Sequence, residues 1–111
     1  MLKLLKRLLG LEKIWVRRER YSCVDCCVVE AKRCYLKNLG FDEQTFSQEL
    51  ARELGTNMIN TFWIDHNTRG VKVSISTYPY LNYDPICYVF GFEEGEVEEA
   101  LKRVASRSPV V

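Results

Sequence analysis

Apolar and polar residues recur along this chain with two different periods, and each change of period marks an element. Leu2, Leu4, Leu5, Leu8 and Leu9 fill one half of a helical wheel, with Lys3, Lys6 and Arg7 on the other. Residues 1–10 therefore read as an amphipathic N-terminal helix stopped by Gly10. Ile14 to Tyr21 reads as a strand, apolar at Ile14, Trp15 and Val16 and then basic, as suits a sheet edge. From Val24 to Leu39 the spacing again fits a helix, because Val24, Cys27, Val28, Ala31, Cys34 and Tyr35 share one face.

The next helix has the clearest local signature. Asp42 is placed to cap its free amides, Phe41 is spaced to pack on Phe46, and Phe46, Leu50 and Leu54 form a stripe ending at Gly55. Period 2 then takes over. Asn60-Phe62-Ile64 and Val71-Val73-Ile75 alternate with more polar neighbours, and residues 65–70 are expected to join them as a hairpin. Tyr78 to Pro85 reads as a loop, because Pro79 and Pro85 cannot sit in a paired central strand. Ile86 to Phe90 is apolar on both faces, as an interior strand is. Glu94 to Ser106 closes the chain as a helix with acids early and bases late, the sense its dipole favours. The order α-β-α-α-β-β-β-α predicts a single α+β domain. Its sheet would be small, antiparallel or mixed, of about four strands with helices packed on one face.

Composition narrows the function classes. The 111 residues are 47% hydrophobic and 28% charged, with 6 Gly and 3 Pro, which excludes low-complexity and collagen-like chains. The net charge of +1 does not describe a strong polyanion binder. No apolar run reaches the ~20 residues of a membrane-spanning helix. Lys3, Lys6 and Arg7 interrupt the first apolar stretch, so it does not read as a signal peptide. The expected setting is cytoplasmic, with the five cysteines reduced, metal-bound or redox-active.

Cys23-Val24-Asp25-Cys26, read as lying between a strand and a helix capped by Ser22, is similar over about ten residues to thioredoxin-like proteins. In that setting a helix N-terminus lowers a thiol's pKa. The similarity implies that Cys23 and Cys26 carry the chemistry, while Cys27 and Cys34 fall on the apolar side of the same helix. Cys23, Cys26, Cys34 and Cys87, or three of them with His66, would alternatively supply soft ligands for zinc. No other cofactor is expected.

Residues 42–57 resemble the first helix and turn of a helix-turn-helix DNA-binding unit, with Ala51 at the crossing position and Gly55 turning the chain. Arg17, Arg18, Arg20 and Arg69 would contact phosphates in a nucleic-acid-binding regulator. The leading expectation is different. Leu2, Leu5 and Leu9 on the N-terminal helix, with Tyr78, Tyr80 and Tyr83 in the proline-bounded loop, read as contact surfaces. They describe a non-catalytic interaction or regulatory module that forms a homodimer or binds a protein partner. Through residues 2–9 it would also touch membrane surfaces weakly.

Overall fold

A computed structural model describes residues 13–74 and 84–106 of the chain. The N-terminal helix expected at 1–10, with Leu2, Leu5 and Leu9, and the loop carrying Tyr78, Tyr80 and Tyr83 lie outside the described residues. The described elements are β1 (Ile14–Tyr21), β2 (Val24–Ala31), α1 (Arg33–Leu39), α2 (Glu43–Leu54), β3 (Gly70–Ser74), β4 (Ile86–Phe90) and α3 (Glu94–Ser106). The fold is α+β. Its four strands form one antiparallel sheet in the order β1-β2-β4-β3, so β1 is an edge and β4 is interior, as their residue patterns predict.

The three helices cover one face of the sheet. Leu36, Phe46, Leu50, Val97, Leu101 and Val104 meet Cys27, Val29, Val71, Cys87 and Val89 in the main core. The Asp42 carboxylate accepts the Thr45 amide at 2.7 Å, and Phe41 packs on Phe46 with ring centroids 6.4 Å apart. The start of α2 is thus built as its sequence predicts. Ser47 is the buried polar side chain of this core. Its hydroxyl donates to the Glu43 carbonyl at 2.8 Å, which leaves its oxygen to accept the Cys87 thiol 3.0 Å away.

Two segments differ from their expected form. Residues 24–39 are a strand and then a short helix, not one helix. Val24, Cys27, Val28 and Ala31 do recur at helical spacing. Cys26 and Val29, however, complete an unbroken apolar run over residues 26–29, as suits an interior strand buried on both faces. Cys26, Cys27, Val28 and Val29 are each no more than 1% exposed. A two-residue turn at Ser22 and Cys23, both with positive φ (50° and 67°), reverses the chain before β2. Ser22 is accordingly a turn residue and caps no helix.

Residues 60–64 are not a strand. The edge of β3 that they would pair with is taken by the residues just before them. The Ile59 amide donates to the Val71 carbonyl at 2.8 Å, the Val71 amide donates to the Asn57 carbonyl at 3.1 Å, and Met58 bridges Val71 in parallel. Gly70 permits this approach, since a Cβ there would stand 2.5 Å from Ile59 Cγ1 and 2.8 Å from the Asn57 carbonyl oxygen. The chain then crosses onto the second face of the sheet, where Ile59 and Ile64 pack with Tyr21 and Tyr88 over Val24, Cys26, Val28 and Phe90.

Candidate functional site

The crossing segment is braced by its own polar groups. Asp65 accepts the Asn67 amide at 2.9 Å and the Thr68 hydroxyl at 3.1 Å, and the Thr68 amide donates to the Asp65 carbonyl at 3.1 Å. The Trp63 amide donates to the Thr61 hydroxyl at 3.1 Å. Lys72, rising from β3, donates to the Thr61 carbonyl at 3.1 Å and holds its ammonium 5.4 Å from the Phe62 ring centre. Ile64 reaches the second-face cluster, so its neighbours cannot follow it. Phe62 is left 86% exposed and Trp63 89% exposed, with Trp15 at 42% on the same side of the sheet as Phe90 and Tyr88. Large apolar side chains this exposed, next to one another on a hydrogen-bonded loop, are unusual for a folded surface. Period-2 alternation hides them in the sequence. The telling signal is Asp65 three residues before Thr68, which closes a loop directly after three consecutive large apolar residues.

A polar cleft of about 290 Å³ lies where the β1–β2 hairpin meets the end of β4. Arg18, Asp25, His66, Thr68, Phe92 and Glu93 line it. Gly91, with φ of 81°, lets the chain turn there, and the Arg69 guanidinium lies 4.3 Å from the Phe92 ring centre. Arg18 Nη1 donates to the Phe92 carbonyl and to Cys27 Sγ, each at 3.3 Å. Burial pushes the Cys27 thiol up, and the Arg18 charge offsets that only in part. The thiol therefore stays protonated at neutral pH and is a poor nucleophile. Its contact with the sulfur in turn holds the Arg18 guanidinium above its ordinary value. The structure thus brings Arg18 and His66 to one cleft together with the carboxylates of Asp25 and Glu93, while Arg69 is not part of its lining.

The cysteines are dispersed. Cys23 is exposed in the hairpin turn and Cys34 is exposed on α1, whereas Cys26 lies buried on the second face and Cys87 buried beneath α2. The thioredoxin-like arrangement therefore does not form: Cys26 sits mid-sheet, and burial followed by the neighbouring Cys27 raises its pKa. Burial also takes Cys87 up to about 11, against the lowering effect of Ser47. Among the described residues, no three His, Cys, Asp or Glu side chains come together in a group able to hold a metal.

Nor does a helix-turn-helix follow α2. After Gly55 the chain runs into the Met58 bridge and the crossing loop, with no second helix before β3. Arg17 is ion-paired to Glu19 at 2.6 Å and Glu30 at 3.3 Å, and Arg20 to Asp25 at 3.3 Å. The charge these arginines would offer to phosphates is thereby largely balanced. Among the described residues no helix is long and apolar enough to cross a membrane. No protein-family model, curated protein or solved structure matches the chain.

Proposed function

We propose that this protein is a small, non-catalytic cytoplasmic interaction module that grips a protein partner through the Phe62–Trp63 loop. The observation that carries this reading is the near-complete exposure of two adjacent aromatic rings on a loop held by Asp65, Thr68, Thr61 and Lys72. A loop already ordered loses little entropy when a partner covers it, and aromatic anchors contribute disproportionately to interface energy. The raised thiol pKa values of Cys26, Cys27 and Cys87 support a structural role for these residues. Five free cysteines suit a reducing compartment.

The test is a photo-crosslinking amino acid placed at Phe62 in the full chain expressed in cells, with Asn67 as the exposed control position. The expected result is one or a few discrete protein adducts at Phe62 that disappear when Trp63→Ala is added. Adducts no different from those at Asn67 would overturn the reading.

A further inference from the structure

We propose that the protein pairs with a second copy of itself along the free edge of β1, in the antiparallel register centred on Arg18. This goes beyond the aromatic loop and does not depend on it.

Among the described residues, β1 pairs only with β2. The two-residue turn makes Tyr21 and Val24 a hydrogen-bonded pair, and the alternation of an antiparallel ladder sets every pair after it. Two bonds beyond the strand ends agree with this phase. The Lys32 amide donates to the Lys13 carbonyl at 3.0 Å, and the Ala31 amide donates to the Pro85 carbonyl at 3.2 Å, on the β4 side. Trp15, Arg17, Glu19 and Tyr21 therefore bond β2, whereas Ile14, Val16, Arg18 and Arg20 turn their amides and carbonyls outward along the edge.

A twofold axis normal to the sheet keeps each side chain on its own face, so facing residues differ by an even number of positions. Two such registers overlap most of the strand, one centred on Arg17 and one on Arg18. The first sets Arg17 against Arg17 and Trp15 against Glu19, so it brings no opposite charges face to face. The second sets each Arg17, already bonded to Glu19 at 2.6 Å and Glu30 at 3.3 Å in its own chain, also against Glu19 of the other copy, and each Trp15 against Tyr21. It also places Arg18 opposite Arg18 and Val16 opposite Arg20, all with outward backbone groups, for about six hydrogen bonds across the join. The Arg18 side chain leaves this edge clear, because it reaches back over β2 to Cys27 Sγ and the Phe92 carbonyl. Charges on an edge strand ordinarily resist pairing. Here they oppose other registers and favour one, giving a continuous sheet of twice the width.

Sedimentation of the full chain at tens of micromolar tests this. The expected result is a dimer. Arg17→Glu and Glu19→Arg should each weaken it roughly tenfold, through two like-charge contacts apiece, and the double variant should restore it. Arg20→Pro removes an outward amide that β2 does not use, so it should give a folded monomer with an unchanged circular dichroism spectrum. A monomeric native protein would overturn the proposal. So would a dimer indifferent to Arg20→Pro, or a double variant no tighter than its singles.

Discussion

Arg18 and Cys27 face each other across the β1–β2 ladder, with the guanidinium nitrogen 3.3 Å from the sulfur. In an open site this geometry would make a thiolate. Under the packed helices the burial of Cys27 prevails, and the sulfur has no path to solvent. Accessibility rather than acidity therefore decides which thiols react. In the folded protein Cys23 and Cys34 should be modified rapidly by a thiol reagent, and Cys26, Cys27 and Cys87 only on unfolding. Peptide mapping after brief alkylation reads this directly, and rapid modification of Cys26 would contradict it.

Alkaline pH should loosen the fold through Cys87. Its folded pKa of about 11 lies above the ordinary 9.0, so the protonated thiol stabilises the native state fully below pH 9. That contribution drains away as pH rises through 11, by about 3 kcal/mol at the limit. The raised pKa values of Cys26 and Cys27 act in the same sense. Chemical denaturation at pH 7, 9 and 10.5 should show the fall, and Cys87→Ala should make it shallower. Identical slopes for the two proteins would remove Cys87 from the explanation.

The hairpin turn stores strain that can be relieved. Ser22 and Cys23 both hold positive φ, where a side chain costs about 1 kcal/mol or more. Replacing them with Asn-Gly should raise stability by about 1 kcal/mol, measured by urea denaturation. A loss of stability would mean that the two residues make contacts the turn needs.

Phe62→Ala with Trp63→Ala should change stability by less than about 0.5 kcal/mol, since neither ring is buried. The same double substitution should abolish capture of the partner. A large drop in melting temperature would instead give the pair a structural role.

Duplex DNA should bind weakly and without sequence preference. The net charge is +1, and Arg17 and Arg20 are matched by Glu19, Glu30 and Asp25. Submicromolar, selective binding at physiological salt would show that other residues form the nucleic-acid surface.

Elements whose ends carry their own chemistry are legible without a structure. Asp42, Phe41 and Phe46 announce the start of α2, and Gly55 its end. Ile86 to Phe90 shows its interior position by being apolar on both faces. Residues 24–31 fail for an instructive reason: their apolar positions around the unbroken run 26–29 satisfy helical and strand readings alike, and the turn that decides between them uses Ser and Cys where Asn and Gly are usual. Residues 60–64 fail because the edge they alternate to match is claimed by Asn57 to Ile59, a competition that local pattern does not record. The aromatic loop lies in the same stretch and is hidden by the same alternation. The polar cleft, for its part, is assembled from β1, the crossing loop and the turn after β4, three stretches far apart in the chain.

β2 is covered on both sides, by the helices over Cys27 and Val29 and by the crossing loop over Cys26 and Val28. Among the described residues, the helices and the crossing loop that cover it, and its second neighbour β4, come later in the chain. A ribosome extending this polypeptide would release the β1–β2 hairpin long before β4 and α3 exist, leaving its most apolar strand with one partner and no roof. Native topology must then wait for pairings across some sixty residues, which slow folding and lengthen the exposure of that strand. The amides of β2 should in turn be the last to exchange with deuterated water, because neither face nor either edge can open without dismantling the whole domain.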